Sequence, residues 1–260
     1  MQERHKNRQQ YFNEQALTTS RYVIPFIEKT MQIDKNISVL EIGCGEGGNL
    51  KPFVDMGCKR IVGVDMNTRK IDNANQFFAE HPNRDKLTFI CDDVFNREDL
   101  GQFDLIIMRD VLEHIHGQEK FMHLAQQFLK PDGRFFLGFP PWWNPFGGHQ
   151  QMCRNKFLSK LPFFHLLPVF LYKAILKVFG ESEIMIEALL EVKETGISIN
   201  RFERIVRRTG YQKAVRYFYL INPNYEVKFG LKPRMVIAPF SYIPFLRDLY
   251  TTTNYYVLKK

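Results

Sequence analysis

The sequence predicts an α/β fold: a doubly wound, mostly parallel seven-stranded sheet with an insertion after the fifth strand. Three observations predict it. Five short apolar runs of strand length alternate with segments of helical length, the pattern of a parallel sheet with crossover helices. The first run empties into a glycine-rich loop, Gly43-Cys44-Gly45-Glu46-Gly47-Gly48. The second run ends on an acid, Asp65, placed where a strand's carboxyl end meets that loop.

The elements follow in order. Residues 11–30 read as helical with a break at Pro25. Residues 38–42 (Ser-Val-Leu-Glu-Ile) form the first buried strand, and a helix over 49–56 is ended by Gly57. The second strand covers 60–65, and a helix over 68–80 follows, with Pro82 beyond its end. Strands three and four cover 87–91 and 103–108. A helix over 118–129 leads into the turn Lys130-Pro131-Asp132-Gly133 and the fifth strand. After Pro140-Pro141-Trp142-Trp143 the alternation lapses to about residue 195, which reads as an insertion. An amphipathic basic helix over 199–209 stops at Gly210. A sixth strand covers 214–220, and an antiparallel seventh over 253–258 is expected at the sheet's edge. The expected organisation is thus an N-terminal helical segment over 1–36, a sheet core over 37–140, an insertion over 141–198, and the rest of the same sheet over 199–260.

Gly43, Gly45 and Gly48 satisfy the spacing G-x-G-x-x-G, which also marks dinucleotide sites. The same loop carries Glu41 and Glu46, and carboxylates around a pyrophosphate would repel it. S-adenosyl-L-methionine has no phosphate and brings a sulfonium and an ammonium, so the charge pattern favours the methyl donor over a nicotinamide dinucleotide. With these blocks in this order, the chain resembles class I S-adenosylmethionine-dependent methyltransferases of the group that acts on small molecules and lipids. The resemblance covers about residues 38–140 and implies a Rossmann-like methyltransferase fold in which residues 1–36 lid the cofactor, 37–140 bind it and 141–198 face the substrate.

It also implies roles for individual residues. Glu41 and Gly43 would hold the methionine end, and Gly45 would allow close backbone approach. Asp65 would bind the ribose and Met66 would flank the adenine. Asp93 with Val94 would read the adenine edge, with Asp92 a competitor because the acid is doubled. His149, after Gly147-Gly148 beyond the fifth strand, is the candidate general base, because an alcohol acceptor needs one and imidazole titrates in the useful range. His114 is expected to cap or pack beside the fourth strand, and Asp104 to serve structure.

Composition sets the remaining bounds. Cys44, Cys58, Cys91 and Cys153 show no metal-ligand spacing, so no metal site is expected, and reduced thiols fit a cytoplasmic enzyme. Residues 1–10 are polar and basic with no apolar core, unlike a signal peptide. Residues 1–150 hold 18 Lys and Arg against 20 Asp and Glu, whereas residues 151–260 hold 18 against 8. The basic half suggests an anionic partner, either a small or lipid-linked acceptor or the surface of a membrane met peripherally. Residues 161–179 have the length of a membrane span, but His165, Lys173, Lys177 and two prolines argue for a lid or an interfacial helix. Arg201, Arg204 and Arg208 share a helix face and support an RNA methyltransferase as the alternative. Against it, Pro140-Pro141-Trp142 follows the fifth strand rather than the fourth, where amino-methylating nucleic-acid enzymes carry their Pro-Pro-aromatic block. Nucleic acid is therefore not the expected partner. A non-catalytic S-adenosylmethionine-binding protein is the further alternative, and the oligomeric state is left open.

Overall fold

The structure, a computed structural model, describes residues 7–260. Residues 1–6 of the polar N-terminal segment and of the expected lid lie outside the described residues. Eight strands form one sheet: β1 (Ser38–Ile42), β2 (Arg60–Asp65), β3 (Leu87–Cys91), β4 (Phe103–Arg109), β5 (Leu129–Phe139), β6 (Gln212–Ile221), β7 (Arg234–Met235) and β8 (Thr253–Lys259). Their order is β3-β2-β1-β4-β5-β8-β6-β7. Strands β1 to β5 are parallel, while β8 runs antiparallel to both β5 and β6.

Alternate residues of β1 feed the two faces of the sheet. Leu40 and Ile42 join a core with Val62, Ile106 and Phe202, and Val39 joins another with Ile61, Leu105 and Phe53. A strand buried on both faces must be apolar at nearly every position, which is why the runs were legible without alternation. At the amino ends of the strands, Asp104 accepts hydrogen bonds from the Ser38 backbone N–H (2.8 Å), the Ser38 hydroxyl (2.7 Å) and the Lys130 ammonium (2.8 Å). That makes Asp104 a latch between β1, β4 and the entry to β5, the structural part expected of it.

Three expectations are corrected. The sheet has eight strands rather than seven, because Arg234 and Met235 add a two-residue edge against β6. β8 lies inside the sheet rather than at its edge: Phe135 to Phe139 pair with it on one side and Gln212 to Tyr219 on the other. Its first six residues are all buried, including both tyrosines, so solvent was never available to it. Nor does Pro25 break the N-terminal helix. Helix α1 (Arg8–Thr18) widens into a π-helical turn over Thr19–Val23 and continues as α2 (Ile24–Ile27). Pro25 sits in the first turn of α2, where its missing N–H is not required.

The crossover helices are shorter than expected. These are α3 (Lys51–Asp55), α4 (Thr68–Phe77) and α5 (Gln118–Ala125), the last running into a 3₁₀ turn. In α4, Asn67 caps the start by accepting the Lys70 N–H. Between β5 and β6 the chain forms several 3₁₀ turns, then α6 (Val169–Val178), α7 (Glu183–Thr195) and α8 (Ile199–Arg208). Leu158, Phe164, Tyr172, Leu176, Ile186 and Leu189 give this region a small core of its own.

Candidate active site

The chain runs β1 to β3 in one direction, then returns to place β4 on the other side of β1. Beyond the carboxyl ends at such a reversal, the two flanking connections part and leave a crevice. A cavity of about 930 Å³ opens there. Its wall is built from the loop after β1 (Gly43 to Glu46), Asp65 and Met66 after β2, Asp92 to Phe95 after β3, and Arg109 to Val111 with His114 after β4. Arg8, Tyr11 and Gln15 of α1 close one side.

The glycine loop is held tightly. The N–H groups of Gly43 and Cys44 donate to the Val64 carbonyl (2.7 and 3.1 Å), tying the loop to the end of β2. The Gly45 N–H donates to Oδ2 of Asp65 at 2.8 Å, and the Asn67 N–H to its Oδ1 at 2.9 Å. Gly43 adopts φ +74°, and a Cβ there would lie 2.4 Å from Cγ2 of Val111. At Gly45 (φ +54°) a Cβ would meet only the Lys70 side chain, at 3.9 Å, so the backbone faces open space.

Six of the eight expected site residues therefore converge on one cavity: Gly43, Gly45, Asp65, Met66, Asp93 and Val94. Met66 is 70% exposed at its rim. Asp93 accepts the Phe95 N–H at 3.0 Å, capping the turn that presents Val94, and Asp92 lines the same wall. Glu41 and His149 are not part of the cavity wall. Glu41 is fully buried beneath the loop, where it accepts a 2.7 Å hydrogen bond from the Asn49 amide. The Asn49 carbonyl in turn accepts from Arg109 (3.0 Å) and the Thr19 hydroxyl (2.9 Å). Burial pushes the Glu41 carboxyl up to about 8, against the hydrogen bond from Asn49 and the charge of Arg109.

His149 lies one layer behind the wall, and His114 takes the place facing the cavity, the reverse of the expected arrangement. Their rings meet edge to face, 5.0 Å between centroids. His149 holds an uncommon left-handed conformation (φ +56°), and its Nε2 lies 3.7 Å from Glu113. The Glu113 carboxylate is buried, and neither oxygen accepts a hydrogen bond. Burial, reinforced by the charge of Asp110, raises its proton affinity well above the ordinary carboxylate range. Burial lowers His149 to about 3, helped by His114 and His165, and also lowers His114. Both imidazoles are thus neutral, with a lone pair to accept a proton. Glu113, His114 and His149 bring one ligand atom each within 4.8 Å of one another, the sole group among the described residues with metal-ligand potential.

Sequence reasoning passed over Asp110 and Arg109. Asp110 turns the chain with φ +55° at the end of β4, its N–H donating to the Gly138 carbonyl at 2.8 Å. An acid at the carboxyl end of a strand was the signal available for it. The wall holds six acids (Glu46, Asp65, Asp92, Asp93, Asp110, Glu191) against four Lys and Arg (Arg8, Lys70, Arg109, Lys120). In a chain of net charge +8 this cavity is acidic, which suits a cationic ligand and opposes a pyrophosphate.

The strand order, the glycine loop and the acidic crevice define a class I S-adenosylmethionine-dependent methyltransferase fold. A family model described as a methyltransferase domain matches residues 11–158, more than half of the chain, and the chain belongs to that family. It is 30% identical over 111 residues to a sterol 24-C-methyltransferase of Debaryomyces hansenii, covering 42% of this chain and 29% of that protein. It is 29% identical over 103 residues to a ubiquinone biosynthesis O-methyltransferase of Pelagibacter ubique, covering 40% and 42%. The chain thus spans less than half the length of these relatives. Among solved structures, geranyl diphosphate C-methyltransferase from Streptomyces coelicolor A3(2) superposes with a TM-score of 0.57 at 12% identity, over 92% of this chain and 77% of that one. At that identity the likeness is one of fold.

Proposed function

We propose that the protein transfers a methyl group from S-adenosyl-L-methionine to an oxygen or nitrogen of a small or lipid-linked, anionic acceptor. The observation that carries the reading is the acidic cavity at the topological reversal, with Asp65 bound to the glycine loop on its wall. The residues present fit the donor: an open backbone at Gly45, carboxylates for a cation, and an apolar rim at Met66 and Val94. Each Asp65 oxygen already accepts one backbone N–H and keeps lone pairs for the two ribose hydroxyls. Met66 covers the adenine face, and Asp93 with Val94 reads its edge. Gly43 meets the methionine end, and Glu41 fixes the loop there from below through Asn49. Helix α1, with Tyr11 and Gln15 on the wall, acts as the lid.

When bound, the donor supplies an electrophilic methyl on a sulfonium, a good leaving group. The protein's work is then alignment and exclusion of water. For an alcohol acceptor, the proton leaves the hydroxyl as the oxygen attacks, and the neutral imidazole of His114, which faces the cavity, receives it, its ring held edge to face by His149 with Glu113 behind. The basic half of the chain, residues 151–260, favours an anionic acceptor. That the matched relatives are named for sterol and ubiquinone methylation favours one with an isoprenoid or lipid body. Calorimetric titration with S-adenosylmethionine, its demethylated product and NAD tests the cofactor, and tighter binding of NAD would overturn the reading. Labelled-methyl transfer into lipid and aqueous extracts then identifies the acceptor's class.

A further inference from the structure

We propose that the inserted region docks the protein on an anionic lipid bilayer, with α6 lying in the plane of the interface. A surface helix ordinarily turns apolar residues inward and polar ones outward, as α8 does, with Phe202, Ile205 and Val206 buried and Arg201, Arg204 and Arg208 exposed. Helix α6 is apolar on both sides. Tyr172 and Leu176 are fully buried in the insertion's core. On the opposite side Phe170, Ala174 and Val178 are exposed, spaced four residues apart so that they form one stripe along the axis. Phe170 is 75% and Val178 83% exposed. Lys173 emerges beside the stripe, where a long side chain can bury its stem and keep its charge among headgroups, while Lys177 pairs with Glu183 at 2.8 Å. Next to the helix, exposed Phe157 stacks on Phe179.

Charge decides what covers this face. Residues 150–180 contain Arg154, Lys156, Lys160, Lys173 and Lys177, and the nearest acids are Glu181, which accepts the Arg154 and Asn155 N–H groups, and Glu183, which pairs with Lys177 at 2.8 Å, so the patch stays net positive. A second copy docking through the same patch would bring these cations against themselves, since a two-fold contact pairs a surface with its own image. An anionic leaflet complements both the apolar stripe and the cations around it. No helix among the described residues is long and apolar enough to cross a membrane, so the contact is one of lying on the surface. The insertion leaves β5 at Phe139, at the carboxyl ends of the parallel strands, the end at which the cavity opens.

Flotation with vesicles of phosphatidylcholine alone, and of phosphatidylcholine mixed with phosphatidylglycerol, tests this without any cofactor or acceptor. The wild-type protein is expected to float with the anionic vesicles, more weakly at high salt, and poorly with the neutral ones. Phe170→Ser combined with Val178→Ser should abolish flotation while leaving the melting temperature and donor affinity unchanged, because both side chains are exposed. Lys173→Gln should weaken binding by roughly fivefold. No flotation with anionic vesicles, or undiminished flotation of the double variant, would overturn the proposal. So would a dimer in solution that the double variant converts to monomer.

Discussion

Asp65→Ala isolates the contact on which donor recognition depends most. In the wild-type protein its carboxylate accepts the Gly45 and Asn67 N–H groups at 2.8 and 2.9 Å, so the side chain both shapes the glycine loop and faces the cavity. A hydrogen bond to a charged group contributes about 1.5–3 kcal/mol. Loss of two ribose hydroxyl bonds to a half-buried carboxylate would therefore weaken donor binding by about 3–6 kcal/mol at most, or roughly 10²–10⁴-fold. Solvent at this partly exposed position argues for the lower end. Asp65→Asn keeps one carbonyl acceptor but turns an amide N–H₂ toward a backbone N–H, so it should fall between wild type and Asp65→Ala. Calorimetry with S-adenosylmethionine and its demethylated product measures the loss, and a thermal melt separates it from a collapsed loop. Binding by a folded Asp65→Ala protein within threefold of wild type would refute the assignment and put the ribose elsewhere.

Four further outcomes follow from the same geometry. His114→Ala should leave donor affinity nearly unchanged and lower turnover by about 10²–10⁴ if His114 takes the acceptor's proton, and His149→Ala, one layer back, should lower it less; a fully active His114→Ala variant would remove the pair from the chemistry. Because burial lowers both imidazoles below the ordinary 6.5, the acid limb of kcat/KM should fall below that pH, and a limb above it would contradict the neutral pair. Glu41 has a folded proton affinity raised from 4.5 to about 8, so the folded protein holds a proton that the unfolded chain releases over this interval. Stability should decline as pH rises from about 4.5 to 8, and Glu41→Gln, which keeps an acceptor for Asn49, should flatten that slope in melts across pH. Gly43→Ala should abolish donor binding or folding, with its Cβ 2.4 Å from Val111 and φ at +74°. Gly45→Ala, with 3.9 Å of room, should be the milder of the two on melting.

What was legible in the sequence is what local chemistry dictates. β1, β2 and β4 were readable because they are buried on two faces and so nearly continuously apolar, β3 and β5 because short apolar runs end on acids or follow a Pro-Asp-Gly turn, and the glycine loop because its backbone turns through positive φ at Gly43, Gly45 and Gly47. Acids at strand ends were legible for the same reason: Asp65 and Asp93 stand where an apolar run stops. Long-range pairing was not. Nothing local distinguishes an edge strand from one threaded between two others, and β8 took its place by pairing on both sides. The N-terminal helix kept its course past Pro25 because a π-helical turn absorbed the mismatch, which no residue type announces.

The proton-handling cluster shows the limit most clearly. His149 was chosen for its place after a flexible Gly-Gly joint, yet burial and a left-handed backbone set it behind His114. Glu113 and His114 are adjacent in sequence and look like parts of one short turn. Only the insertion's return brings His149 and Glu191 against them, so which imidazole meets the cavity is settled by a contact thirty-five residues away in sequence from His114 to His149. In the proposed reading, acceptor choice and access to a lipid surface fall to the inserted region, while the strand ends hold the donor. A division of that kind lets the insertion vary with the acceptor while the strand ends that hold the donor stay fixed.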